Sequence, residues 1–157
     1  MAFRIERCTA GLLLLLSVLH TSQSAHIAAV QMANLGQDAL TYLEKEATGA
    51  LKNDNGSHSV GCIEKAKEHE QLNCSIVSAF FSYFEEAAVL KLDRKLADKL
   101  KVIMGTVESL RDIKCGRQLN KTTCKAAFPG SKDGYKHIEK LRSLLVLYLQ
   151  WIVKPMQ

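Results

Sequence analysis

Four cysteines, Cys62, Cys74, Cys115 and Cys124, constrain this chain more than any other feature, because the residues ahead of them direct it to an oxidising compartment. Arg4 and Arg7 give a positive start, Gly11 to Leu19 is an uncharged Leu-rich run, and Thr21-Ser22-Gln23-Ser24-Ala25 is small and polar. Charge, apolar core and small-residue exit, in that order, make a secretory signal peptide. The apolar run is shorter than the roughly 20 residues that span a bilayer, so a retained anchor is the weaker reading. Small residues at Ser22 and Ser24 suit cleavage after Ser24, with Ala25 as the next choice. The expected organisation is residues 1–24 as a signal peptide and 25–157 as one helical domain, secreted to the outside of the cell.

Cys8 leaves with the leader. An even count of cysteines in an oxidising compartment predicts two disulfides with three connectivities open. A metal site is the competing reading. The intervals of eleven, forty and eight residues, without a Cys-x-x-Cys pair or a His at ligand spacing, argue against zinc. No cofactor is expected. Three sequons, at Asn55, Asn73 and Asn120, are glycosylation candidates, and Asn73 is the weakest because Cys74 beside it is a bridge candidate.

The pattern predicts four helices and no strand. The first runs from about His26 to Lys52, with Leu40, Leu43, Ala47 and Leu51 on one face. Gly36 and Gly49 weaken it, each costing about 1 kcal/mol against Ala in a helix interior. Asn53 to Ser57 is a turn cluster, and a short helix is expected from Ile63 to His69. The second helix starts near Asn73 and lines up Val77, Phe80, Phe81, Phe84 and Ala88 as core. Asp93 caps the third, which runs to about Lys114. It turns Leu96, Leu100, Ile103, Val107 and Leu110 inward and a charged face outward, with Gly116 as its stop. The last helix runs from about Lys132 to Val153 through Ile138, Leu141, Leu145, Tyr148 and Ile152, and Pro155 ends it. The expected fold is all-α, four-helix-bundle-like, with two disulfides.

A short connection favours antiparallel second and third helices, which gathers the four cysteines at one end. Cys62 to Cys115 with Cys74 to Cys124 is the favoured pairing, and the alternative crossed pairing is nearly as good. Each bridge contributes about 2–4 kcal/mol.

The net charge of +5 is modest. Nine Lys or Arg between Arg111 and Arg142, against Asp112, Asp133 and Glu139, suit an acidic receptor face or a sulfated glycosaminoglycan; a solvated face is the plainer reading. No aromatic-basic motif points to nucleic acid. There is no His-Glu-x-x-His, no phosphate-cradling Gly loop and no Gly-x-Ser-x-Gly. His26, His58, His69 and His137 have polar neighbours, and Glu85 and Glu86 diverge on a helix. An enzyme is not expected.

The turn Asp54-Asn55-Gly56-Ser57, then Gly61, Ile63 and a charged run, then Ser75-Ile76-Val77-Ser78-Ala79-Phe80-Phe81-Ser82-Tyr83-Phe84, resemble interferon-gamma. Leu72-Asn73-Cys74 with Glu85-Glu86, Leu110-Arg111 before Cys115, and the helix from Tyr135-Lys136 to Trp151 also resemble the interleukin-ten family. The likeness covers residues 54–115 in detail and the last helix in pattern. It implies a class II helical cytokine, a class that often intertwines as a homodimer and signals by clustering two-chain receptors. Interferon-gamma typically lacks this four-cysteine set, and the segment after Cys124 is too short for the extra helix of the interleukin-ten fold. Two cysteines before the aromatic helix and two before the last helix are also similar to short-chain cytokines of the interleukin-fifteen and interleukin-twenty-one branch.

The expected function is a secreted cytokine that binds and clusters cell-surface receptors and triggers JAK/STAT immune signalling. Exposed faces of the first and last helices are the candidate contact surfaces, with Lys45, Lys136, Lys140 and Arg142 as candidate receptor-binding charges. Charges on such a rim act mainly on association rate and salt dependence. The alternative is a secreted carrier of a small lipid, its pocket lined by Phe80, Phe81, Phe84, Tyr148 and Trp151.

Overall fold

A computed structural model describes residues 5–46, 60, 61, 63, 73–116, 128, 130 and 132–157, with the side chains of 23–45 in the first helix. Cys62, Cys124, Asn55 and Asn120 lie outside the described residues, as do 47–52 and 64–69, where the first and the short helix were expected to run.

Among the described residues four α-helices make the fold: α1 (Ile5–Glu46), α2 (Cys74–Ala87), α3 (Arg94–Cys115) and α4 (Ile138–Tyr148). Among the described residues there is no strand beyond an isolated bridge between Lys91 and Asp133. α1 begins well before His26 and runs unbroken through Ser24. The physical reason lies in the Leu-rich run, which holds strong helix formers and no proline.

Side chains set the boundaries of α2 and α3. Asn73 is extended, and its Oδ1 accepts the Ile76 N–H at 3.0 Å, which starts α2. Asp93 Oδ1 accepts from Lys95 N at 3.0 Å and Leu96 N at 3.2 Å, which starts α3. The same oxygen accepts the Tyr42 hydroxyl at 2.8 Å, so α1 is tied to the cap of α3. Gly116, at φ 61°, stops α3 in a conformation that side-chain-bearing residues avoid. A 3-10 turn, Gly134–His137, leads into α4. α4 leaves through a widened turn in which the Lys154 N–H reaches back to Leu149 O, directly before Pro155.

Contacts fix the directions. Cys74 at the start of α2 is bonded to Cys115 at the end of α3, with Cα atoms 5.0 Å apart. Lys99 meets Asp38 at 3.9 Å and Tyr42 meets Asp93, so α1 and α3 run oppositely. Arg142 meets Glu44 while Tyr148 reaches Met32, so α1 and α4 run oppositely. Lys91 N, just past α2, donates to Lys132 O at 2.8 Å, which sets the end of α2 beside the entry to α4. α1 packs on α3 and α4, and α2 packs on the same two helices. Each helix is thus antiparallel to both neighbours, while α1 and α2 run the same way. Residues 88–93 join α2 to α3 as a short hairpin, whereas α1 ends at the opposite end of the bundle from the start of α2, and α3 ends at the opposite end from the start of α4, so the chain crosses over between each of these pairs.

The core follows the heptad-like spacing. Leu96, Leu100, Ile103, Val107 and Leu110 of α3 are all buried. Ile138, Leu141, Leu144, Leu145 and Tyr148 of α4 are buried, with Ile152 beyond. α2 buries nine of its side chains, more than one face, because α3, α4 and Phe128 from the second crossover all cover it. Val60 and Ile63 place part of the first crossover in the same core.

Gly36 has a packing reason that its helix propensity conceals. A Cβ there would stand 2.8 Å from Tyr148 Cε1 and 2.8 Å from Leu149 Cδ2. The absent side chain is what lets α1 approach the ring of Tyr148.

The disulfide overturns the favoured pairing. Cys74 is bonded to Cys115, not to Cys124. The cap at Asn73 makes Cys74 the first residue of α2, and Gly116 makes Cys115 the last residue of α3. Antiparallel packing of the two helices brings these two residues directly opposite each other. The Ser78 hydroxyl, buried among them, lies 3.4 Å from Cys115 Sγ and 3.7 Å from Cys74 Sγ.

Candidate functional site

Among the described residues no group of His, Cys, Asp or Glu is arranged to hold a metal ion. Three carboxylates sit in structural roles. Asp93 and Asp133 cap helical turns, and Glu86 Oε2 accepts the Phe128 N–H at 3.1 Å, which pins the second crossover to α2.

The four candidate cations fall at the end of the bundle where α1 finishes and α4 begins, but their environments differ. Lys45 and Lys136 are exposed. Arg142 Nε is 3.0 Å from Glu44 Oε1, both side chains about half exposed, so its charge is already balanced across the α1–α4 seam. Lys140 is half-buried, its ammonium 5.7 Å from the Tyr83 ring centre and 5.5 Å from that of Phe128. A cation over two aromatic faces is held by their negative π-clouds. Lys140 therefore fastens the crossover to α2, together with the edge-on Tyr83–Phe128 and Phe128–His137 pairs.

Reading the charged face of α3 alone leaves out what lies between the charges. Val102 and Ile113 are 50% and 77% exposed, and they stand about three turns apart on one side of that helix. On α1, Ile27 and Val30 are also exposed. The signal available in the sequence is that no Asp, Glu, Lys or Arg occurs from Cys8 to Gln37, which covers the first half of α1. Among the described residues, charges gather at the end around Lys45, Lys136 and the Glu44–Arg142 pair, where Val89 and Tyr135 are also exposed, and further exposed apolar positions lie on α1 and α3.

Arg111 combines charge and packing. Its guanidinium lies 3.7 Å from the Phe81 ring centre and 3.7 Å from Glu108, although Nε itself is buried without a hydrogen-bond partner.

The aromatic residues considered for a ligand pocket meet one another. Phe84 is 5.5 Å from Tyr148, edge to face, and Phe80 is 6.4 Å from Phe84 and 6.5 Å from Tyr148. Phe80, Phe84 and Tyr148 are fully buried, Phe81 nearly so, and Trp151 half-buried at the edge of the core.

Comparison with family models, with curated proteins and with solved structures finds no match for this chain. Its function therefore rests on its own geometry.

Tyr148 gives the core a measurable titration. Burial pushes its phenol up to about 12, against a hydrogen bond with Thr106 that lowers it. The group ionises near 10 when unfolded, so its contribution is complete below pH about 10 and is lost as pH rises towards about 12. Over that window the unfolded chain has released a proton that the folded chain still holds. Stability should fall by about 1.4 kcal/mol per pH unit from this group. Urea unfolding of wild type and Tyr148→Phe at pH about 9, 10 and 11 isolates it from lysine titration; parallel pH dependences of the two proteins would refute it.

Proposed function

We propose that this chain is a secreted helical cytokine that binds and clusters cell-surface receptor chains and triggers JAK/STAT signalling. The observation that carries the reading is the connectivity. Helices that are antiparallel to both neighbours, one short hairpin and two long crossovers make the up-up-down-down arrangement used by growth-hormone and cytokine bundles. The likeness to class II and short-chain cytokines lies in residue patterns, and the connectivity supports the same reading independently of them.

The chemistry of such a signal is binding alone. A rigid bundle presents the charged end to one receptor chain and the exposed apolar positions of α1 and α3 to another. Lys45 and Lys136 steer the encounter, and glycosaminoglycan is a further partner for the basic residues between Arg111 and Arg142. A homodimer that presents two copies of each surface would cluster receptors in the same way. Cleavage after Ser24 releases the domain, in which every buried side chain described in α1 lies at Ala29 or beyond. Cys62 and Cys124, which lie outside the described residues, are the two cysteines left for the second bridge expected of a secreted domain. The sequons at Asn55, Asn73 and Asn120 make it a glycoprotein.

The test is direct. The purified, oxidised residues 25–157 are applied to immune and epithelial cells, and STAT phosphorylation is measured within minutes. A response that the reduced, unfolded protein fails to give supports the reading. Silence across a broad panel, with folded protein, overturns it.

A further inference from the structure

At the disulfide end of the bundle, a glycosylation acceptor, a helix cap and a covalent cross-link fall on neighbouring residues. Asn73 begins the Asn73-Cys74-Ser75 sequon and caps α2 through Oδ1, while Cys74 is bonded to Cys115. We propose that glycan occupancy at Asn73 is set by a race between glycosyl transfer and closure of the Cys74–Cys115 bond. This inference rests on the secretory reading above.

The two reactions need opposite conformations. In transfer, Asn73 Nδ2 attacks the anomeric carbon of an oligosaccharide carried on a lipid pyrophosphate. The C–N bond forms, the lipid pyrophosphate leaves, and the proton from Nδ2 is released. The acceptor amide and the hydroxyl two residues later must enter one active site, which calls for an extended, accessible segment. In the fold, Asn73 is extended, at φ −117° and ψ 172°, but Cys74 and Ser75 already belong to the first turn of α2. Ile76 and Val77, immediately after, are 1% and 0% exposed.

Closure is the other reaction. Two thiols are oxidised to a disulfide while a disulfide oxidant of the same compartment is reduced to a dithiol. Before closure, the start of α2 is held by the Asn73 cap and by the burial of Ile76 and Val77, with no covalent tie to stop its first residues from fraying. After closure, Cys74 is fixed to the last residue of α3, and the sequon no longer peels away from the bundle. The covalent tie, rather than the cap, ends the opportunity.

The order of events leaves both products. Cys115 follows Cys74 by 41 residues, so synthesis at about 5–20 residues per second gives transfer a lead of about 2–8 s. A sugar on Nδ2 leaves Oδ1 untouched as acceptor for Ile76, so a glycosylated chain still caps α2. Secreted protein should then be a mixture, bridged throughout and glycosylated at Asn73 in part.

The full chain is expressed in secreting cells, and occupancy at Asn73 is measured by mass spectrometry after enzymatic deglycosylation, which leaves Asp where a glycan stood. Cys115→Ala keeps the sequon intact and removes closure, and it should raise occupancy at least twofold over wild type. Phe84→Ala, destabilised in the core with the bond intact, should stay at the wild-type level. That control separates covalent closure from loss of stability. Equal occupancy in wild type and Cys115→Ala, full occupancy in wild type, or an equal rise in Phe84→Ala would each overturn the race. If the chain is secreted with its leader removed, such a result fails this inference alone. A chain that keeps its leader and stays inside the cell overturns the secretory reading, and this inference with it.

Discussion

Removing the Cys74–Cys115 bond, by Cys74→Ala with Cys115→Ala, will lower the unfolding free energy by about 4 kcal/mol. The bond closes a loop across a sequence separation of 41. Chain-entropy loss in the unfolded state places the effect between about 3 kcal/mol for a 15-residue loop and about 4.7 kcal/mol for a 100-residue one. Domains of this size hold about 5–15 kcal/mol in all, so the loss is a large share. The native state also suffers. Ser78 is 5% exposed and its hydroxyl is surrounded by the two sulfurs, so their removal leaves it poorly satisfied. At about 2 kcal/mol per molar urea, the midpoint should drop by roughly 2 M. A drop below about 0.5 M would mean that the unfolded chain already keeps these helices together. A peptide map of unreduced wild type, made beforehand, should return Cys74 joined to Cys115 and Cys62 joined to Cys124.

The disulfide also marks where sequence reading runs out. Period and capping are local, and they served well: Asp93, Gly116 and the inward rows of α3 and α4 lie where the spacing put them. The expected helix limits, Cys74 at the start of one and Cys115 at the end of its antiparallel neighbour, already set these two cysteines side by side, but choosing that bond over the pairing of each with Cys124 and Cys62 takes the register seen in three dimensions. Gly36 misled for a related reason. Propensity counts it as a helix weakness, whereas its use is a contact with Tyr148, more than a hundred residues away in the chain.

The candidate surface was legible only in part. Charge and position in the sequence make Lys45, Lys136, Lys140 and Arg142 equal candidates, yet Arg142 is paired with Glu44 and Lys140 lies over Tyr83 and Phe128. Charge is visible in a sequence; the partner that offsets it, contributed by another helix, is not. Val102 and Ile113 fall outside the inward row of α3, yet a charged outer face describes that helix without them, and only the structure shows them exposed.

Phe84→Ala will cost about 3–5 kcal/mol, as large as loss of the disulfide. Phe84 is fully buried and bridges α2 to α4: its ring meets Tyr148 edge-on at 5.5 Å and lies nearly parallel to Phe80 at 6.4 Å. Truncation removes the transfer free energy of the ring and leaves a cavity that two rigid neighbouring rings cannot collapse to fill. The edge-to-face pair adds about 0.5–1.5 kcal/mol beyond burial. Phe84→Leu restores most of the volume and should cost less than half as much, which urea unfolding of the two variants will resolve. The comparison bears on function as well. If these aromatics serve as packing, purified Phe84→Leu should stay folded and signal at nearly wild-type potency. If they line a lipid site, both variants would lose little stability, because an empty pocket has less packing to forfeit, and Phe84→Ala would give up bound lipid instead. A stability loss near 4 kcal/mol for alanine, with signalling retained by leucine, assigns Phe84 to the core of the bundle and leaves recognition to its outer surfaces.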